Sequence, residues 1–189
     1  MQHREINRRV ALASVQPGAI EAMEEFNNKL HRLLSGLREG GHFAGELGET
    51  LVFTPPPDSI TPKKVLLIGV GNEPGLTPER LRFVGVIAAR ESIRLKVVSV
   101  SFAPGLRDQG SSRIDAGDGA AAFAQGWISG CDTEKRLQEE RVSPVVDTPA
   151  LTIEAGPKYF EAVYAKVAIA VEGAVQAIHD RTPAPLMSK

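Results

Sequence analysis

The chain is short of the residues that announce chemistry. Its 189 residues include a single cysteine, Cys131, so no intrachain disulfide can form and no cysteine-rich zinc cage can be assembled. A secreted protein of this size more often carries an even set of cysteines. No sign of charge dominates: 22 Lys and Arg stand against 23 Asp and Glu, for a net charge of −1. That balance argues against nucleic acid or an anionic membrane as the main partner, because both attract clustered Lys and Arg. No stretch approaches the roughly 20 apolar residues of a membrane-crossing helix. The start, Met1-Gln2-His3-Arg4-Glu5, leads into mixed charge rather than the apolar run of a signal peptide. The expected compartment is the cytoplasm. There is no internal repeat at a convincing period.

What is present is ordinary globular material. Apolar residues make up 42% of the chain and charged residues 24%, near average usage and enough for one domain with a sizeable core. Residues 1–181 are expected to form that domain, with 182–189, Thr-Pro-Ala-Pro-Leu-Met-Ser-Lys, as a linker-like tail. Arg9 to Val15 reads as a strand that stops at Pro17-Gly18. From Ile20 to Leu37 the spacing turns helical, through Met23, Phe26 or Asn27, Leu30, Leu33 and Leu34, and Gly40-Gly41 ends the helix. Glu49 to Thr54 is a strand closed by three prolines, and Lys64 to Val70 is an apolar run of the kind covered on both faces. Thr77-Pro78-Glu79 marks a helix start, with Thr77 as N-cap and Pro78 at the first position.

Leu95 to Phe102 returns to strand character, and residues 106–114 read as a polar surface loop. Asp115 is placed to cap a helix over Ala116–Ser129, followed by a charged, exposed stretch at 132–142. Val145 to Ile153 holds a last strand. The longest helix is read over Lys158 to His179. Phe160, Val163, Val167, Val171, Ala174 and Ile178 fall at steps of three, four, four, three and four, a stripe that needs cover from the body of the protein or from another subunit. The order is β-α-β-β-α-β-α-β-α, which implies a mostly parallel sheet with helices on both faces. The short proline-rich connection between Leu51 and Lys64 allows that one pair to be antiparallel.

Candidate chemistry is sparse. The turn after the Lys64–Val70 strand offers Gly69, Gly71, Asn72 and Gly75, backbone that could face a phosphate at a helix N-terminus. It lies where open α/β sheets tend to bind ligands. Against this, Glu73 places a negative charge in the cradle, and neither the P-loop nor the G-x-G-x-x-G spacing is met. The simpler reading is a tight turn. Asp115 and Asp118 lack the register of a calcium loop, and capping explains them. His3, His31, His42 and His179 form no ligand pair, and nothing near Cys131 would activate its thiol. No G-x-S-x-G elbow is present. No residue is assigned a catalytic or metal-binding role, and no cofactor is implied.

Four stretches in order resemble the amino-terminal domain of the leucyl aminopeptidase (cytosol aminopeptidase, peptidase M17) family. Gly45-Glu46-Leu47-Gly48-Glu49-Thr50-Leu51 resembles its Gly-Glu segment leading into a strand, and Lys64 to Gly71 is similar to its "RVLLVGLG" strand and turn. Ala121 to Gly130 looks like its "A-x-G-x-x-L" helix, and Ala168 to Asp180 looks like the linking helix with "A-x-x-x-G-x-x-x-A-R-D-L". The resemblance spans most of residues 9–183 and implies a macro-domain-like three-layer α/β/α sandwich. In the family, two metal ions sit in a second domain whose "N-T-D-A-E-G-R" signature is absent here, so no catalytic residue carries over. The leading expectation is therefore a non-catalytic domain that associates with itself or with a full-length aminopeptidase. The alternative is a module for small molecules or ADP-ribose-like nucleotides. A metal-dependent aminopeptidase in its own right comes last, because these residues supply no dinuclear site.

Overall fold

The computed structural model describes residues 9–15, 24–102 and 114–181. The expected turn at Pro17-Gly18, the first turn of the Ile20–Leu37 helix, most of the 106–114 loop and the 182–189 tail lie outside the described residues. The elements are β1 (Arg9–Val15), α1 (Glu24–Lys29), α2 (Leu33–Glu39), β2 (Thr50–Phe53), β3 (Lys64–Gly69), α3 (Pro78–Arg94), β4 (Ser99–Phe102), α4 (Ala116–Glu139), β5 (Ala150–Ile153) and α5 (Phe160–His179). A 3-10 turn, Glu73–Gly75, precedes α3.

The five strands lie in the order β2-β3-β1-β4-β5. β1 runs parallel to both β3 and β4, and β4 is parallel to β5. β2 alone is antiparallel, joined to β3 through the short proline-rich connection. The sheet is therefore mixed and mostly parallel. Alternation along β3 sorts its side chains between two layers. Val65 and Leu67 pack with Leu30, Leu34 and Phe43 on the α1/α2 side. Leu66 and Ile68 join Val84, Ala88, Phe102 and Phe123 on the α3/α4 side. Phe102 and Phe123 stack with ring centroids 3.7 Å apart.

Three expectations need correction. The helix read over Ile20–Leu37 is broken between α1 and α2, where His31 and Arg32 take φ values of 53° and 61°. The physical reason is Asn27, which is 2% exposed. Its Oδ1 accepts from the Leu34 and Ser35 N–H groups at 3.1 and 3.3 Å, and its Nδ2 donates to Ser35 Oγ at 2.7 Å. A side chain from the first helix thus caps the second, offsetting two left-handed residues and keeping Leu30 and Leu34 on the sheet.

The strand read from Leu95 begins only at Ser99. Leu95 caps α3, Lys96 is left-handed at φ 53°, and the Val97 N–H returns to the Ser92 carbonyl. Residues 95–97 are spent on ending the helix, whatever their β propensity.

The third correction concerns α4, which continues past Ser129 to Glu139 and, at 24 residues against 20 for α5, is the longest described helix; within the charged stretch from 132, Glu134 is buried rather than exposed. Gly126 and Gly130 serve contact with α3 instead of ending the helix, and Gly117 lies against Lys166 and Ala162 of α5. A Cβ on Gly126 would lie 1.9 Å from the Arg82 carbonyl oxygen, and one on Gly85 would lie 2.2 Å from that of Phe123. Helices that approach this closely gain packing that outweighs the low helix propensity of glycine. Glu134, 5% exposed, then reaches Arg90 of α3 at 2.7 Å.

Candidate functional site

The four candidate residues Gly69, Gly71, Asn72 and Gly75 come together where β3 ends and α3 begins. Thr77 caps α3 through Oγ1, which accepts from the Arg80 N–H at 3.3 Å, with Pro78 at the first helical position. The segment 44–49 folds over the same strand end. Gly48 N–H donates to the Gly69 carbonyl at 2.9 Å, Gly69 N–H to that of Glu49 at 2.8 Å, and Gly71 N–H to that of Gly45 at 3.0 Å. A Cβ on Gly69 would meet the Glu46 carbonyl oxygen at 1.9 Å, so glycine is required there for backbone-on-backbone contact. Gly71 has φ +71°, and a Cβ on Gly75 would lie 2.2 Å from the Arg80 guanidinium.

Successive N–H groups in that overlying segment do bind an anion, and it is the chain's own. The Glu49 carboxylate accepts from the N–H groups of Ala44, Gly45 and Glu46, the shortest at 2.7 Å from Gly45. Such a nest of backbone dipoles favours a carboxylate or a phosphate alike. Arg80 sits at the mouth of the loop, its Nη1 3.4 Å from both the carbonyl and the side-chain oxygen of Asn72. The strand end thus presents one guanidinium and an exposed Asn72 over closely packed glycine backbone.

At the start of α4, Asp115 caps the helix: its Oδ1 accepts from Gly117 N–H at 2.9 Å and Asp118 N–H at 3.4 Å. The place between Asp115 and Asp118 is held by the Lys166 ammonium of α5, at 2.9 and 2.8 Å. Hydrogen bonding to Lys166 holds the Asp115 carboxyl below the usual aspartate range, and the two carboxylates hold Lys166 above its own. These residues clasp α4 to α5. Cys131 is half-buried, and desolvation, aided by the Glu134 charge, pushes its thiol up to about 11, the opposite of an activated nucleophile. His31, His42 and His179 are exposed at separate places, and His3 lies outside the described residues. Among the described residues, no three His, Cys, Asp or Glu side chains are grouped to hold a metal ion.

An apolar groove beside α5 is a feature that sequence reasoning located only by its helix. The groove, about 380 Å³ in volume, runs between α4, β5 and α5, floored by Trp127 and Ile128 and walled by Leu151, Ile153, Tyr164 and Val167. The apolar stripe read on the last helix is only partly covered by the body of the protein. Val163 and Ala170 are the buried residues of α5, while Phe160 and Tyr164 are 53% and 64% exposed. Ile169 and Val175 are also open, at 71% and 41% exposed. The available signal was composition: within its 20 residues α5 has only Glu161, Lys166 and Glu172 as formal charges, His179 aside. A helix apolar on nearly every side is normally a buried one. No described helix is long and apolar enough to cross a membrane.

Residues 12–141 match the family description "Cytosol aminopeptidase family, N-terminal domain". Among curated proteins none matches the sequence. A mutant of tomato leucine aminopeptidase shares the fold with a TM-score of 0.65 at 16% identity, over 93% of this chain and 34% of that one. The bottromycin maturation enzyme BotP gives a TM-score of 0.62 at 19% identity, over 89% of this chain and 31% of that one. Its complex with Mn gives 0.62 at 20% identity, over 91% and 30%. The chain therefore spans about a third of the length of these structures.

Proposed function

The chain belongs to the cytosol aminopeptidase family, as its N-terminal domain, and from that premise we propose that it acts by association rather than by chemistry of its own. The observation that carries this reading is the exposed apolar surface of α5, with Phe160, Tyr164, Ile169 and Val175 all open. Phe160 and Tyr164 lie beside the apolar groove along α5, and exposed apolar side chains next to such a groove suit a contact with another protein. The partner in this reading is another copy of the chain or a full-length aminopeptidase. Its place is the cytoplasm, a reading supported by the lone, half-buried Cys131. Size-exclusion chromatography with light scattering at several concentrations, together with binding to a full-length leucyl aminopeptidase, tests it. A discrete oligomer or a stable complex is expected; a monodisperse monomer without affinity for the enzyme overturns it.

One observation favours a second reading, a small-molecule or ADP-ribose-like ligand at Gly69, Gly71, Asn72 and Gly75. The Arg80 guanidinium stands at that strand end beside Asn72, placed to meet a phosphate. Thermal shift with ADP-ribose, ATP and NAD tests it, and no shift with any of the three removes it.

A further inference from the structure

We infer that the groove between β5 and α5 takes an extended segment of a partner protein. The segment adds to the free edge of β5 as a further strand and sets alternate apolar side chains in the groove. From the association reading above this takes only that another protein covers the region; the mode of contact is new. The first observation is the backbone of β5, the end strand of the sheet, which pairs in unbroken register with β4. The Ala150 N–H donates to the Val98 carbonyl at 3.1 Å, and the Glu154 N–H to that of Phe102 at 2.8 Å. Backbone groups alternate in direction along a strand, so those of Leu151 and Ile153 face out from the sheet. Among the described residues no strand lies beyond that edge. Ala150–Ile153 also lacks the charge or proline that blunts many natural edges.

The second observation is that the same two residues line the groove. Leu151 and Ile153 are half-buried against the α3/α4 core, while Ala150 and Thr152, which alternate with them, are exposed. On an added strand, side chains set opposite Leu151 and Ile153 point to the same face of the sheet, toward Trp127 and Ile128 of α4 and Val167 of α5. They recur at every second residue, about 7 Å apart. The occupant is therefore apolar at alternate positions and polar between them, on the face where Thr152 is exposed.

The conjunction of edge and groove decides between occupants. A helix or a small apolar molecule seated in the groove would cover Phe160 and Tyr164, 53% and 64% exposed along it, but would offer no main-chain groups to Leu151 and Ile153. Their N–H and C=O groups would then be shut away from water without partners, which disfavours that arrangement. An extended chain supplies apolar side chains to the walls and backbone to the edge at once.

Trp127 is the only tryptophan of the chain and lines the groove, so its fluorescence reports occupancy. The probe is the capped peptide Lys-Thr-Leu-Thr-Leu-Thr-Leu-Lys, compared with a copy N-methylated on its backbone amides. The expected result is a saturable change in Trp127 emission, with the Leu151 and Ile153 amides exchanging hydrogen about tenfold more slowly in the complex. The N-methylated copy should bind about tenfold more weakly. Val167→Phe, which fills the groove from α5, should lose the emission change while keeping the thermal midpoint of the parent chain. Equal binding of both peptides, or a change in emission without slower exchange at Leu151 and Ile153, overturns strand addition and leaves the association reading standing. No change in emission up to the solubility limit of the peptide overturns it as well, as does binding unaffected by Val167→Phe. Peptide binding by a chain that neither self-associates nor binds an aminopeptidase keeps the edge site and removes the partners named above.

Discussion

Two helices lean on α4, and the molecule treats them in opposite ways. α3 buries seven of its 17 residues, Leu81, Val84, Gly85, Ala88, Ala89, Ser92 and Ile93. α5 is longer at 20 residues and buries two. The difference lies in how closely each helix can approach. At the α3–α4 crossing glycine stands on both sides: Gly85 faces the Phe123 backbone, Gly126 faces that of Arg82, and a Cβ on Gly130 would lie 2.9 Å from the Val86 carbonyl oxygen. Gly173 on α5 lies in open space, and the α4 glycine that does meet α5, Gly117, stands in the first turn of α4, where a Cβ would lie 3.2 Å from the Ala162 carbonyl oxygen. Apolar composition is therefore a poor guide to depth in this protein. The more apolar helix is the more exposed one, and small residues at the crossing decide which helix is drawn in.

The sharpest way to break this contrast is to make the same substitution on each side of it. Gly126→Ala forces a Cβ into the Arg82 backbone and should cost about 3 kcal/mol or more, or prevent folding, read by urea denaturation. Glu134→Ala leaves Arg90 without its buried partner. Because the Arg90 side chain is 40% exposed and can rehydrate, the expected loss is about 1–2 kcal/mol on the same assay. Gly173→Ala should act in the opposite sense to Gly126→Ala, stabilising by up to about 1 kcal/mol through helix propensity alone, seen as a raised thermal midpoint. A loss there would mean that α5 is already covered at Gly173.

The smallest effect concerns the clasp between α4 and α5. Lys166 holds the Asp115 carboxyl below its ordinary range. A depressed folded value contributes stability above the unfolded aspartate pKa and loses it as pH falls through the lowered one. Lys166 is itself held above its ordinary range, so its share is present through neutral pH and lost only as pH rises through that raised value. Lys166→Met should therefore be slightly less stable than the parent chain at neutral pH. The gap should close in strong acid and again in strong alkali, which thermal midpoints across pH would record.

Much of the architecture was readable from local patterns. β1 and β3, the Thr77-Pro78 start of α3 and the Asp115 cap of α4 all depend on short-range rules of alternation, capping and proline placement. The antiparallel β2–β3 pair follows from a connection too short for a crossover. What escaped reading were features where a single side chain serves two elements. Asn27 occupied a place in the helical stripe of α1 while capping α2, and no periodicity distinguishes those roles. Gly126 and Gly130 of α4 look like helix breakers until α3 is laid against them. At the candidate ligand loop, Gly69, Gly71 and Gly75 were legible only as a tight turn or a weak phosphate cradle. That segment 44–49 and Arg80 approach them depends on contacts between residues distant in sequence.

The sequence by itself determined the class of this protein: an α/β sheet covered on both faces, in the order of strands and helices that marks the aminopeptidase N-terminal domain. Those properties follow from period, turn chemistry and capping, which act over a few residues. Only the tertiary structure decided that Glu49 fills the backbone nest over the strand end, that Lys166 stands between two aspartates, and that α5 keeps an apolar face outward beside an open groove. Each is a relation between elements far apart in the chain, and the pattern of one element cannot record how closely another approaches it.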